Sequence, residues 1–350
     1  MKFVCYTSWN ELPESADALF AQAEKSSPFF SRPWFESLAA LDDEPVLLAC
    51  VLSGRKVLAI LPLMGAAGNT GYALKHRYSS LYSLLLADHD QAQILACLIQ
   101  GLGQLPLHAL LLEPVAEDDR NLAVLQAALQ TAGFSCERRF RFYNWFLRVQ
   151  GQSFADYMAA RPARLRNTIA RKQRKLEREH GYEIRLFCDQ QVPHQMADYY
   201  AVYNASWKAN EQYGDLVDQM VARFSQRGWT RLAVLYINTQ PVAAQLWFVC
   251  HGKASIFRLS YDQAWKQYSP GSILMAYLMA YVIDTDKVEE VDFLTGNDAY
   301  KQDWMSDRRE RFAWSAINSV APARGGYAQI VKAMQRLWER LQNNSGNNRR

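Results

Sequence analysis

The sequence contains no G-x-x-x-x-G-K-[S/T] loop, no G-x-G-x-x-G and no G-x-S-x-G elbow. Those absences remove the P-loop nucleotide hydrolases, the dinucleotide-binding oxidoreductases and the α/β-hydrolases. It also has no C-x-x-C pair. Cys5, Cys50, Cys97, Cys136, Cys188 and Cys250 are scattered, most of them in apolar runs such as VLLACVL (46–52) and LWFVCHG (246–252). Such thiols read as small buried hydrophobes, and no disulfide framework is expected. His76, His89, His108, His180, His194 and His251 show no metal-ligand spacing to another His or Cys, so no metal is expected. Charge of one sign is scarce: 39 Lys and Arg against 35 Asp and Glu leave a net +4 over 350 residues. That argues against a dedicated nucleic-acid binder. Long apolar runs are missing too. The stretch Ile273 to Ile283 falls far short of the roughly 20 residues of a membrane span, and MKFVCYTSWNELPESAD has no signal-peptide core. A reducing, cytoplasmic compartment is expected, with peripheral membrane contact left open.

What is present is a core-forming chain, 49% hydrophobic and 13% aromatic, long enough for two domains. In the first half, VLLACVL (46–52) and KVLAILPL (56–63) flank a Gly-containing turn and predict a hairpin. Gln91 to Leu102 and Asp118 to Ala132 predict helices, with a buried strand 107–113 between them and Gly133 as a stop. Residues 64–89 carry no assigned element, and a strand Tyr143 to Val149 closes the half. Ser153 to Asp156 predicts a capping box. PARLRNTIARKQRKLEREHG then predicts a helix with Leu165, Ile169 and Leu176 on one face and Gly181 at its end. It is the most basic piece of the chain and marks the expected boundary, giving domains 1–150 and 151–335 and a polar, disordered tail 336–350.

The second half predicts a strand 182–187, helices Val192 to Asn210 and Leu216 to Arg227, and three strands over 230–261 joined at Asn238-Thr239-Gln240 and His251-Gly252. Turns this tight force antiparallel neighbours. A helix Pro270 to Ile283, a strand Val288 to Leu294, a short helical segment Asp298 to Trp304 and a strand Arg311 to Ser319 complete it. The order is β-α-α-β-β-β-α-β-α-β, an α+β arrangement on a mixed sheet in which a crossover helix leads into a parallel strand. The first half repeats parts of this order without repeating the sequence.

Two segments can carry chemistry. In Tyr268-Ser269-Pro270-Gly271-Ser272, Ser269 suits an N-cap, Pro270 the first helical turn, and Gly271 a close approach of backbone to ligand. An anion such as a pyrophosphate suits the helix start, although an ordinary capped helix has the same pattern. In the second segment, Asp292 to Trp304, Asp292 is a general base, an orienting acceptor or a cap for the adjoining helical segment. Tyr300 can protonate a leaving thiolate and Lys301 can hold an anion, or they are a core-edge tyrosine and a solvated lysine. Trp207, Trp229, Trp247, Trp265 and Trp304 suit either a groove or the core.

The run RNTIARKQRKLEREHGYEI, then SWK (206–208), then RLAVLYINTQPVAAQLWFVCHGKASIFRLSYDQAWKQYSPGSIL, then VDFLTGNDAYKQDW, resembles one family: the GNAT-type acetyltransferases called BioF2-like or cellulose-biosynthesis (CelD-like), relatives of the Fem-type peptidyltransferases. The resemblance covers most of 150–320, and the opening half resembles the same family more weakly. It implies tandem GNAT-type domains joined by the basic helix, with acetyl-CoA or another acyl-CoA as donor to an amine or hydroxyl acceptor. It implies pantetheine along Arg258 to Tyr261, so that Leu259, Ser260 and Tyr261 meet the donor. It also implies a pyrophosphate on the loop Lys266 to Ser272, including Ser269 and Gly271. By the same resemblance, backbone N–H groups near Leu259 to Tyr261 polarise the thioester carbonyl, Asp292 takes a proton, Tyr300 returns one, and Lys301 matches a Fem-type lysine. Exopolysaccharide or cell-envelope biosynthesis is the implied setting. An aminoacyl-tRNA-dependent Fem-type transferase and a non-catalytic binding module of the same fold are the alternatives.

Overall fold

The computed structural model describes residues 1–41, 46–67, 69–208 and 211–318. The first half runs β1 (Lys2–Tyr6), α1 (Asp17–Ala23), α2 (Arg32–Ala39), β2 (Val46–Ser53), β3 (Lys56–Ala67), β4 (Thr70–Ala73), β5 (Leu85–Leu86), α3 (Gln91–Leu102), β6 (Ala109–Ala116), α4 (Arg120–Thr131) and β7 (Phe134–Arg148). The second runs α5 (Phe154–Ala159), α6 (Ala163–Glu179), β8 (Glu183–Cys188), α7 (Met196–Asn204), α8 (Gly214–Gln226), β9 (Thr230–Ile237), β10 (Gln240–Cys250), β11 (Lys253–Tyr261), α9 (Pro270–Asp284), β12 (Glu290–Asp292), α10 (Lys301–Trp304) and β13 (Asp307–Asn318).

The meander β9-β10-β11 is set by two turns. Asn238 and Thr239 have φ 48 and 68, and His251 and Gly252 have φ 47 and 73. Paired left-handed residues match the right-handed twist of the strands they join. The capping box at Ser153 forms as expected, with Asp156 returning the bond. Gly181, at φ 67, lies just past the last turn of α6.

The halves share one topology. β1, β2, β3 and β4 are antiparallel neighbours and β6 runs parallel to β4. Likewise β8, β9, β10 and β11 are antiparallel neighbours and β12 runs parallel to β11. The helices α3 and α9 make the corresponding crossovers. The last strand of each half then pairs with the other half: β7 lies against β12, and β13 lies between β6 and β7. The result is one continuous sheet, β1-β2-β3-β4-β6-β13-β7-β12-β11-β10-β9-β8. One face of its second half carries α5, α6 and α9 over a core that includes Trp247, Ile256 and Leu278. On the other face, α7 and α8 share a core with the first half, so Phe224 and Phe248 belong to the same cluster as Leu48 and Phe35. No helix among the described residues is long and apolar enough to cross a membrane.

Several boundaries differ from expectation. The strand expected at Tyr143 to Val149 begins at Phe134. Its first part meets β13 on one side and, among the described residues, no strand on the other, so charged residues such as Arg139 stay exposed and interrupt the apolar pattern. Residues 64–89, which the sequence pattern does not assign to any element, supply the end of β3 and all of β4 and β5. The helix expected from Val192 opens as a 3-10 turn, Asp189–Gln195, around Pro193, and α-helix begins only at Met196. Asn210 and Ser319, where two elements were expected to end, and the tail 336–350 lie outside the described residues. The strand expected at Val288 to Leu294 pairs only over Glu290–Asp292, for a reason that belongs to the site.

Candidate active site

β11 and β12 pair only between Lys253–Ser255 and Glu290–Asp292. Beyond that point β11 continues to Tyr261, and residues 256–261 have, among the described residues, no strand partner on the β12 side. The chain after β12 stays with β7 instead: Phe293 N–H donates to the Trp145 carbonyl at 2.9 Å and Gly296 N–H to the Tyr143 carbonyl at 3.1 Å. Between them Leu294 takes φ 55, a left-handed conformation rare for a branched residue. The Asp292 carboxylate holds that turn by accepting from Leu294 N–H at 2.6 Å. A wedge opens between the two strands as a consequence.

Asp292 is thus engaged on both oxygens. Oδ1 also accepts from Asn144 Nδ2 at 2.5 Å, and Oδ2 accepts from Arg309 at 2.6 Å. Arg309 is shared with Glu290 at 2.8 Å, and Arg309 and Arg311 both donate to Asn144 Oδ1, at 2.6 and 3.0 Å. Asn144 comes from β7, Asp292 and Glu290 from β12, and the two arginines from β13, so the strand crossing is tied by one polar network. Of the roles open to Asp292, this geometry favours the acceptor that shapes the turn.

Two lysines close on the wedge from opposite sides. Lys208, just beyond α7, donates Nζ to the Leu259 carbonyl at 2.5 Å. Burial, with the positive charges of Arg258 and Lys301 nearby, lowers its pKa to about 8. Lys301, at the start of α10, is 4% exposed. It donates to the Thr295 carbonyl at 2.5 Å and reaches the Phe293 carbonyl at 3.4 Å and Asp298 at 3.4 Å. Burial lowers its pKa as well. Its nearest neighbours leave little room, since a side chain at Gly296 would meet Lys301 Nζ at 3.3 Å. Tyr300, 42% exposed, packs its ring edge-on against Phe293. The hydroxyl of Ser260 is buried without a partner among the described residues, as is Arg258 Nε.

The loop before α9 departs from expectation in detail. Ser269 takes the left-handed conformation, φ 53, and its hydroxyl makes no cap. Its carbonyl instead accepts from Ser272 N–H at 3.0 Å and Ile273 N–H at 3.2 Å. Pro270 has no N–H, so Gly271 N–H is the donor left for an anion. Gly271 is small for packing as well, because a Cβ there would lie 3.1 Å from the Tyr261 ring. Positive charge comes from the side: Lys266 is exposed on the loop, and Lys172 of α6 donates to the Gln267 carbonyl. Lys175 lies over the Tyr268 ring at 4.9 Å. The residues present fit a phosphate through ammonium groups rather than through an amide cradle. Trp229, Trp247 and Trp304 are buried core, whereas Trp207, 49% exposed, packs on Tyr261 at the wedge.

Sequence reasoning missed Lys208, Asn144, Arg309 and Arg311. For Lys208 the signal was its place in the SWK segment. For the others no local signal exists, because they converge only through the crossing of β7 and β13. No group of residues that could hold a metal ion occurs among the described residues.

Residues 163–302 match the family model of the acetyltransferase (GNAT) domain. No curated protein sequence matches the chain. Among solved structures, FemX is similar with a TM-score of 0.61 at 11% identity, covering 91% of this chain and 97% of that one. The C-terminal domain of a protein described as a lysylphosphatidylglycerol synthetase from Agrobacterium fabrum gives 0.55 at 13% identity, covering 90% and 94%. L-PGS from Bacillus licheniformis gives 0.53 at 12% identity, covering 89% and 94%. The chain therefore folds as tandem GNAT-type units on a mixed α/β sheet, and residues 163–302 of its second half match the acetyltransferase (GNAT) domain model.

Proposed function

We propose that this protein transfers an acyl group from an acyl-CoA thioester to an amine or hydroxyl, with the donor seated in the wedge between β11 and β12. The observation that carries the reading is the wedge itself: an unpaired strand edge at residues 256–261, a buried unpartnered hydroxyl at Ser260, and two lysines at its walls. Negative charge that develops on the thioester oxygen during attack is met by β11 backbone N–H groups and by the Lys301 ammonium. Asp292, committed to Leu294, Asn144 and Arg309, keeps the wedge open. Proton removal from the attacking group falls to Lys208, whose pKa of about 8 leaves a working fraction neutral near neutrality. The hydroxyl of Tyr300, whose pKa burial raises, returns a proton to the departing thiolate. The family resemblance favours an exopolysaccharide or cell-envelope building block as acceptor.

The test is calorimetric titration with acetyl-CoA and longer acyl-CoAs, beside Gly271→Glu. Saturable binding that the variant loses supports a donor site at this loop. Absence of binding to every thioester sinks the CoA-dependent reading. A second reading, an aminoacyl ester carried on RNA, draws on the position of α6, whose exposed Arg171, Arg174 and Arg178 continue the basic surface beside the loop. Retention of charged tRNA, with no response to acyl-CoA, would favour it. Failure of both donors would leave a binding module.

A further inference from the structure

A cavity of about 430 Å³ lies on the face of the sheet opposite α9, between the two halves. Its floor is the strand crossing, where Arg311, Arg309, Asp292 and Ser255 line it. Its roof is first-half structure, including Ser83 and Asn121 at the start of α4. Because Asp292 and Ser255 also mark the fork of β11 and β12, the cavity reaches the wedge from the side away from the proposed donor loop.

Arg311 differs from its neighbours on the floor. Arg309 takes both carboxylates, Glu290 and Asp292. Arg311 is 4% exposed, yet its partners among the described residues are neutral oxygens: Asn144 Oδ1 at 3.0 Å and the Glu310 carbonyl at 3.3 Å. Burial and the adjacent Arg309 lower its pKa to about 10, against the opposing pull of Asp292, Asp118 and Glu290, none of which bonds to it directly. A buried guanidinium is stabilised by a carboxylate or phosphate that accepts two of its parallel N–H groups. Of the surrounding polar groups, the Asn121 amide and the Ser83 hydroxyl already donate to the Leu84 carbonyl, and Asp88, Asp118 and Asp119 also line the cavity, so Arg311 is the contact that would hold such a group.

We propose that this cavity binds an anionic group, a carboxylate or a phosphate, of the acceptor, with Arg311 as its principal contact. That the anion belongs to the acceptor rests on the acyl-transfer reading, whereas anion binding at Arg311 does not. The acceptor is then an acidic molecule, its anion on Arg311 and its nucleophile directed to the fork at Asp292.

The test uses the full chain labelled with 15N-arginine, titrated separately with inorganic phosphate and with glutarate. The Arg311 Nε–Hε resonance is assigned by its loss in Arg311→Lys, and affinities are read by calorimetry. Ala116 stands opposite Arg311 in the β6–β13 register, so its side chain leaves the sheet on the same face. Ala116→Leu therefore fills the space beside Arg311 while keeping the arginine, and it reports on the cavity even if Arg311→Lys fails to fold. The expected result is a saturable shift of Arg311 in the wild type, with affinity weakened about tenfold or more in both variants. The tighter of the two anions names the acceptor's group. No saturable binding of either anion overturns the proposal, as does binding of unchanged strength in a folded variant. Neither result bears on acyl-CoA binding, which is measured separately and uses the other face of the sheet.

Discussion

Lys208 Nζ donates to the Leu259 carbonyl at 2.5 Å, so a lysine from the segment after α7 closes the open edge of β11. The contact holds a basic side chain where the resemblance places a thioester. Its burial sets how the lysine titrates. An ordinary lysine near 10.5 falls here to about 8, so the folded protein releases this proton earlier than the unfolded chain does. Below pH 8 the buried cation opposes folding, and that opposition fades as pH rises from about 8 towards 10.5. Reductive 13C-methylation followed by NMR is expected to show one lysine with a midpoint near 8, absent in Lys208→Met. The stability difference between wild type and Lys208→Met, measured by urea unfolding, is expected to shift in favour of the wild type across the same window. A midpoint near 10.5 for every lysine would contradict the burial.

Asp292 is predicted to matter for structure before chemistry. Asp292→Ala removes the acceptor for Leu294 N–H and leaves Arg309 and Asn144 short of a partner. Removing one member of this half-buried ion pair, together with the Leu294 bond, costs about 2 kcal/mol, which guanidinium unfolding can read directly. Asp292→Asn keeps an acceptor for Leu294 and is expected to cost less. Equal stability of Asp292→Ala and wild type would refute the network's role.

Phosphate recognition beside α9 is predicted to depend on ammonium groups. Lys172→Ala and Lys266→Ala are each expected to weaken acyl-CoA binding by about tenfold, and the loss should shrink as salt is raised. Calorimetry at two ionic strengths checks both parts. A salt-independent loss would point to a conformational effect of removing the Lys172 bond to Gln267 instead.

Gly101 provides a prediction independent of function. A Cβ built there lies 2.0 Å from the Phe3 ring, where α3 packs on β1. Gly101→Ala improves helix propensity but forces Phe3 out of place, and overpacking of this kind costs about 2 kcal/mol net. Thermal unfolding should show a lower Tm, and Phe3→Ala in the same background should recover part of the loss.

Much of the second half was legible because its signals are local. The paired left-handed turns at Asn238-Thr239 and His251-Gly252, the capping box at Ser153 and the apolar face of α6 each lie within a few residues. β7 was read at less than half its length because its charged residues face solvent along an edge, where period-two apolar patterning is not required. Lys301 could be singled out from its motif, but its burial could not. Asn144 and Arg309 are separated by 165 positions and meet only because β7 and β13 cross, which no pattern within either half encodes.

That crossing also orders events during synthesis. A polypeptide emerges from the ribosome with its N-terminus first, and early segments begin to fold while later ones are still being made. β6 and β7 are complete long before residues 307–318, which fill the gap between them, have been translated. Until then the nascent N-terminal half holds two bare strand edges, the kind of surface that invites wrong partners or a chaperone. A premature stop shortly before Asp307 therefore damages the part of the molecule that was made first.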